Sequence, residues 1–563
     1  MKKLNWCLIA VLLLATVLRF YNLTEADVIT DESINAIRSI GYIDFFASPY
    51  QTTPWEWFSD VPAWAKISFH DHPPLIFLVS HLFFKIFGQN VFALRLPFAL
   101  FGIGSVFLLY LIGKKLFNKK VGLLASLLLA VSNYHVWISR IGLQESAVIF
   151  FSLLTFYFFS LFLDHDKYWY WGIFFGMAML SKYTAIILLP IFIVYLLILR
   201  RDIFLKKQFW LAIILIAIVF SPVLIYNFKL YQARGHFDLQ VSHFLGQEVP
   251  EWQFLLGRIK AGDFFFKWKG LIPNLYQGML LPIFSLFILS LGFGIYKLIR
   301  EKIKTVSDGI IKERNSIVLL ILTIISFCIL FLFVGSTKRF ISMVIPFCLL
   351  FIAWFLINFV WQKRGRIIKY SLVVTLVVLE IFFTTNTLLA HYPWGKVGLT
   401  YSYFKVESYS WGYHQLDQYL SKLLQGRYPE ITFEPDKNFL KEIKTEAIHK
   451  AKINDKKPAS VLLIYDTSMY DLAALWLFHR RMLYQGWPIV SSDVYLEQGK
   501  DFWLESGVKD FYFFKILDHE ILQLMPEERT DSAEELADQL NDSNLEIIKR
   551  PDGREVFKVY NFH

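Results

Sequence analysis

Residues 168–199 read YWYWGIFFGMAMLSKYTAIILLPIFIVYLLIL, a run of 32 positions with a single charge, Lys182. A helix crosses the hydrocarbon core of a bilayer in about 20 residues. The run is therefore too long for one span, and splitting it at Ser181-Lys182-Tyr183 gives two spans joined by a turn. Similar apolar runs lie at 5–20, 91–113, 121–138, 146–163, 208–226, 275–298, 316–334, 339–360 and 369–388. Together they predict a polytopic α-helical membrane protein of about eleven spans.

Composition agrees. The 563 residues are 55% hydrophobic and only 18% charged, with 56 Phe and 17 Trp, which excludes a soluble globular chain. The net charge of +10 falls in short clusters between apolar runs, the positive-inside pattern, so nucleic acid is not an expected partner. Cys7, Cys328 and Cys348 all lie inside apolar runs, without the spacing of a disulfide framework or a metal site. Met1-Lys2-Lys3 and the run to Phe20 resemble a signal sequence; no small-x-small cleavage site is clear and Arg19 lies near the end, so an uncleaved first span is expected.

Charge sets the expected topology. The stretch 74–87 is about 14 residues long, too short for a simple crossing. As an interfacial or re-entrant helix it leaves Lys114, Lys115, Lys119, Lys120, Arg200, Arg201, Lys206, Lys207, the basic loop 297–314 and Lys363, Arg364, Arg366 on the inner face. The N-terminus is then inside and the C-terminus outside. The outer face collects the 21–90 segment, the turn 140–145, the loop 227–274 and everything after His391.

Two domains are expected: 1–390, membrane-embedded, with external loops 21–90 and 227–274, and 391–563, an extracytoplasmic connector followed by a small α/β domain. In the tail, 461–466, 487–491 and 510–514 read as strands, 469–483 and 501–506 as helices, and 545–548 with 556–560 as a hairpin around Pro551-Asp552-Gly553. Residues 391–458 read as an irregular connector. No Gly-rich phosphate loop appears, so a nucleotide site is not supported.

The polar chemistry gathers on the outer face. Thr30-Asp31-Glu32 opens the polar loop that follows the first span. Thr30 is a good N-cap and acids suit a first helical turn, so a plain helix start accounts for the step as well as a catalytic pair does. Adjacent helical residues point about 100° apart, so the two acids are expected to do different jobs. His70-Asp71-His72-Pro73-Pro74 closes the same loop, and the prolines suit a helix entry. His72, with His236 and His243, is the only external histidine set of note for a divalent metal. Arg140 and Glu145 share a turn, where a surface ion pair is the ordinary explanation. Lys182 is costly inside its apolar run, which marks a functional site or a snorkelling side chain. Lys338 and Arg339 start a late span from outside, with the same two readings. External acids with converging cations suit a hydroxyl nucleophile and a phosphate leaving group.

At these residues the chain resembles the polyprenyl-phosphate-dependent glycosyltransferases of the GT-C fold, above all glycosyltransferase family 39, the protein O-mannosyltransferases and the aminoarabinose lipid A transferases. The matching strings are Thr30-Asp31-Glu32, His72-Pro73-Pro74-Leu75, Phe87-Gly88, Arg95-Leu96-Pro97, Arg140 with Glu145, Ser181-Lys182-Tyr183, and Lys338-Arg339-Phe340 with Pro346. The resemblance covers 1–360 in the family's order, and the tail also resembles the family's C-terminal domain. It implies that Asp31 is the catalytic base, with Glu32 and Glu145 as further acids, Glu145 standing where the family usually has Asp. It implies Lys182 and Arg339 as ligands of the donor phosphate, joined by Arg140, Lys338 and His72. Relatives that hold a metal by a carboxylate and a histidine would have a counterpart in His243, with His72 near where the acid stands.

The expected activity is transfer of one sugar from a polyprenyl-phosphate donor to a hydroxyl of a lipid, protein or glycan, with inversion, at the outer face of a prokaryotic plasma membrane. Partners are the donor, membrane lipids and the acceptor. No cofactor is required by the pattern beyond a possible divalent metal. A transporter or flippase of lipid-linked sugars is the alternative, and predicts inverted repeats and paired broken helices that the asymmetric loops do not show. A non-catalytic receptor, with Asp31-Glu32 as a plain cap, is a third.

Overall fold

The computed structural model describes residues 6–43, 67, 69, 71–165, 167–247, 263–301, 308–358, 363–434, 438–522, 531–540 and 544–563. They form two compact units, Met1–Leu23 with Tyr42–Lys405, and Thr24–Gly41 with Val406–His563. The division falls after Lys405 rather than at 390, and the segment Thr24–Gly41, from the loop expected at 21–90, belongs to the second unit.

In chain order the helices are α1 (Trp6–Phe20), α2 (Glu32–Gly41), α3 (Leu75–Phe87), α4 (Val91–Leu116), α5 (Lys119–Val131), α6 (Asn133–Ser139), α7 (Gln144–Phe162), α8 (Tyr168–Ser181), α9 (Leu188–Leu199), α10 (Lys207–Arg234), α11 (Leu239–Leu245), α12 (Asp263–Met279), α13 (Leu281–Glu301), α14 (Asp308–Val334), α15 (Lys338–Ile341), α16 (Ile345–Asn358) and α17 (Lys363–Thr384). All except α2 lie in the first unit. Side chains write the boundaries. Pro74 precedes α3, Asn90 caps α4 by accepting from the Ala93 N–H, and Asn118 caps α5 by accepting from Lys120 and Val121. Gly235, at φ 76°, ends α10 in the left-handed conformation that glycine adopts without a Cβ penalty.

All eleven apolar runs fall on helices, but among the described residues only six helices are long and apolar enough to cross a membrane. The count is seven if α5 and α6, bent by 63° at Ser132, form one broken span. Helices α1, α3 and α16, and the stretch Tyr183–Leu199, are shorter apolar pieces. The number eleven is thus not reached by length and composition, and the protein is a multi-pass membrane protein at the coarser count.

The break at Ser132 frees backbone groups that no water can satisfy inside a bilayer. Glu380 on α17 accepts from the Asn133 N–H at 2.8 Å, and the Thr384 hydroxyl donates to the Val131 carbonyl at 3.0 Å. Glu380 is buried, and this pairing accounts for an acid inside an apolar span. Helices α4 and α5 pack backbone against backbone: a Cβ on Gly122 would stand 2.4 Å from the Tyr110 carbonyl oxygen, so only glycine allows the approach.

The second unit carries a five-stranded sheet in the order β4-β3-β5-β7-β6, with β3 (Val461–Tyr465), β4 (Ile489–Ser491), β5 (Asp510–Ile516), β6 (Leu545–Lys549) and β7 (Glu555–Phe562). Strands β3, β4 and β5 are parallel, and β6–β7 is the antiparallel hairpin. The residues of β3 are almost all buried, as a continuous apolar strand with neighbours on both sides in a covered sheet requires. Leu462, Ile464, Phe511, Phe513 and Tyr560 share one core with Tyr495 and Trp503 of the helix Ser492–Glu505. The stretch 391–458 is not irregular: it holds α18 (Tyr413–Leu423), α19 (Asn438–Ile453) and β1 (Arg427–Pro429), which pairs in parallel with β2 (Lys457–Ala459).

Candidate functional site

In the first unit the helix α8 ends at Ser181, and Lys182 is extended (φ −163°, ψ 137°) before a 3-10 turn, Tyr183–Ile187. The Lys182 Nζ lies 2.5 Å from Glu145 Oε1, with 11% and 4% of the two side chains exposed. Glu145 sits in the first turn of α7, where a carboxylate also meets the positive end of the helix dipole. The Phe340 ring lies under the ammonium at 4.4 Å, and Arg339 beside it adds its positive field at the Glu145 carboxylate. Two cations thus act on one buried carboxylate.

The turn that carries Lys182 is braced. The Tyr183 hydroxyl donates to Asp238 Oδ2 at 2.8 Å, Asn227 Nδ2 donates to the same oxygen at 2.6 Å, and the Asp238 N–H donates back to Asn227 Oδ1 at 2.8 Å. Burial raises the Asp238 carboxyl above its ordinary range. Sequence reasoning quoted Tyr183 and Phe340 within family-like strings but gave them no role, and it missed Asn227 and Asp238, polar residues beyond the end of an apolar run.

Arg140 has a different place from the one expected. It is buried and does not pair with Glu145. Its guanidinium donates to the carbonyls of Leu18 (3.1 Å), Arg19 (3.1 Å), Tyr21 (2.7 Å) and Asn22 (2.9 Å) at the end of α1. Arg95 donates to the Leu23 carbonyl at 3.0 Å, and Arg19 to the carbonyls of Ala15 and Ala130 at 3.1 Å. A helix end leaves carbonyls unpaired, and these arginines satisfy them. Arg140 is therefore occupied by the backbone rather than set aside for a phosphate.

Lys338 stacks its ammonium over the Tyr403 ring at 4.9 Å, and its carbonyl accepts from the Tyr134 hydroxyl. His72 Nδ1 lies 2.8 Å from Asp71 Oδ2. The side chain of His243 and all of His70 lie outside the described residues. Among the described residues no three His, Cys, Asp or Glu side chains converge.

In the second unit the acid step begins a helix, as its residues suggest. Thr30 Oγ1 accepts from the Glu32 N–H at 3.3 Å, and the Asn35 N–H donates to the Asp31 carbonyl at 3.0 Å. Glu32 is buried at 1% exposure, whereas Asp31 stays partly exposed. Asp27, four residues earlier, was not legible as a special residue. Its carboxylate accepts from the N–H groups of Trp411 (2.6 Å) and His414 (2.7 Å), at the start of α18.

Burial pushes the Asp27 carboxyl up to about 6, against the opposing pull of those N–H donors. In the unfolded chain it titrates near 3.8. Between those values the folded state holds the proton more tightly, so this group's contribution makes stability fall as pH rises through the window and levels off above about 6. Thermal midpoints of Asp27→Asn in detergent, taken from pH 4 to pH 7 (roughly the span of the shift), are expected to lose that part of the slope. An unchanged slope would refute the assignment.

Residues 71–226 match the family model described as dolichyl-phosphate-mannose-protein mannosyltransferase. The resemblance is to membrane glycosyltransferases. The matched stretch contains His72, Arg140, Glu145 and Lys182. The putative mannosyltransferase YycA of Bacillus subtilis is 28% identical over 155 residues, 27% of this chain and 21% of that protein. YkcB of the same organism, also a putative mannosyltransferase, is 27% identical over 212 residues, 37% of this chain and 28% of that protein. The chain thus matches less than a third of the length of either relative. The crystal structure of ArnT from Cupriavidus metallidurans bound to undecaprenyl phosphate superposes with a TM-score of 0.52 at 13% identity, covering 98% of this chain and 97% of that one. That likeness shows the fold, the GT-C membrane architecture.

Proposed function

We propose that the protein is a membrane glycosyltransferase that moves a single sugar from a polyprenyl-phosphate carrier to a hydroxyl acceptor on the extracytoplasmic face. The observation that carries this reading is the buried Lys182–Glu145 pair with Arg339 and Phe340 beside it: an anion site at a helix break, with its acid and its lysine both inside the mannosyltransferase-like stretch. Lys182 and Arg339 bind the donor phosphate and stabilise the charge that collects on it as the bond to the sugar breaks. The acceptor oxygen attacks the anomeric carbon, the carbon–oxygen bond to phosphate breaks, and the polyprenyl phosphate departs with the bonding electrons. Asp31, the accessible member of the acid step, takes the acceptor's proton. A single displacement inverts the anomeric configuration. Lys338 is a peripheral cation, and Arg140 has no role at the phosphate. Asp71 and His72 are two adjacent ligands, too few for a metal cage, so no step is assigned to a metal.

Reconstitution in liposomes with radiolabelled undecaprenyl-phosphate mannose on both leaflets, and crude membrane lipid and protein as acceptors, tests this. The expected result is label moved from the carrier to an acceptor. Carrier that crosses the bilayer with its sugar still attached, and no transfer, would overturn the reading in favour of a flippase.

A further inference from the structure

We infer that the C-terminal α/β unit is the holder of the first-loop acid: Asp27 and Tyr484 are positioning residues that clamp the Asp31 segment onto α18 and onto the helix Arg480–Gln485 that precedes β4. The inference rests on Asp31 as the proposed base, and it assigns the C-terminal unit a part in the reaction.

The segment Thr24–Gly41 belongs to the same compact unit as Val406–His563, although nearly the whole membrane region separates them in sequence. Two tethers bracket Asp31. On its N-terminal side the Asp27 carboxylate accepts from Trp411 and His414, partners 384 and 387 residues away. On its C-terminal side the Tyr484 hydroxyl donates to the Ile37 carbonyl in the middle of α2. Glu25 adds a weaker contact, with Oε2 at 3.7 Å from His414 Nε2.

The need for Asp27 is visible in α18 itself. Its cap position is Gly412, which has no side chain to accept from the first-turn N–H groups. Glycine is required there: φ is 107°, and a Cβ would stand 2.7 Å from Val556 of β7. The helix start is thus pressed onto the sheet at the expense of its own cap, and the first loop supplies the acceptor. Sheet, Gly412, α18, Asp27 and Asp31 form one mechanical chain. Around Asp31, residues Glu32, Ser33, Ala36, Ile37 and Ser39 are buried, while Asp31 itself keeps partial access. A held segment that keeps the Asp31 carboxylate accessible is what a pre-organised base needs.

The test uses the full-length protein in lipid nanodiscs, with hydrogen exchange of residues 24–41 and turnover of undecaprenyl-phosphate mannose as paired readouts. Asp27→Ala is expected to lower protection of 24–41 by about tenfold or more, with β3 and β5 unchanged, because only the tether is lost. Turnover number, normalised to the fraction of protein that is folded and binds donor, should fall by about tenfold or more while the donor KM stays within about twofold. Tyr484→Phe should act in the same direction, and Asp27→Asn should restore part of the loss. Wild-type protection of 24–41 in both Asp27→Ala and Tyr484→Phe would overturn the inference, as would unchanged turnover with a loosened segment. If Asp27→Ala also exposes β3 and β5, Asp27→Asn and Tyr484→Phe decide on the same criteria. Asp31→Asn separates the two claims. If it turns over normally the base assignment fails, and the exchange of 24–41 alone then decides whether the unit holds the segment.

Discussion

Asp31→Asn is expected to reduce sugar transfer by about 10³-fold, within the range that a positioned general base contributes. Two hydrogen bonds of the turn, from the Glu32 N–H to Thr30 Oγ1 and from the Asn35 N–H to the Asp31 carbonyl, do not involve the Asp31 carboxylate and are kept in the variant. The loss should appear in turnover number, with donor affinity kept, because the removed step is proton transfer from the acceptor. Glu32→Gln should show a smaller kinetic effect and a larger effect on folding, since Glu32 is buried at 1% exposure. Turnover of Asp31→Asn within a few-fold of wild type would remove Asp31 from the mechanism and leave Thr30-Asp31-Glu32 as a plain helix start.

Lys182→Ala is the second large effect, and it acts on stability as well as binding. It leaves Glu145 buried without its nearest cation, and breaking a buried pair from one side costs about 3–5 kcal/mol. Arg339 stays near enough to offset part of that. The double variant Lys182→Met with Glu145→Gln removes both charges, and such replacements are often neutral for folding. Thermal midpoints in detergent are therefore expected to fall for Lys182→Ala and to recover in the double variant. Binding of undecaprenyl phosphate alone should be weakened in both, because the ammonium is gone in both. A double variant that folds and binds the lipid phosphate like wild type would refute the phosphate role of Lys182. Lost binding without recovery of the fold would instead mean that the pair's hydrogen bonds, not its charges, hold α7 to α8.

Much of the first unit, and the helix start at Thr30 in the second, was legible because these signals are local. The break at Lys182 follows from run length and one charge, and the helix start at Thr30 from capping chemistry. The span count was less legible. A helix packed in a protein interior can be short, as α16 is, so eleven apolar runs need not be eleven crossings. The two helices within 391–458 were missed, although Tyr413, Leu416 and Leu420 carry the spacing of a buried helical face. Arg140 shows a different limit. Its charge suggested a phosphate, but the carbonyls at the end of α1 claim it from about 120 residues away, and nothing near Arg140 announces them.

Sequence alone determined the membrane class, the turn at Lys182, the capped acid step and the order of the family-like strings. Tertiary structure alone decided the partners. Glu145 meets Lys182 across 37 residues, Asn133 meets Glu380 across 247, and Asp27 meets Trp411 across 384. Capping and hydropathy depend on neighbours within a few positions, so they can be read along the chain. A buried charge or an orphan N–H takes whichever group packing brings to it, and that is settled only when the helices and the sheet are in place.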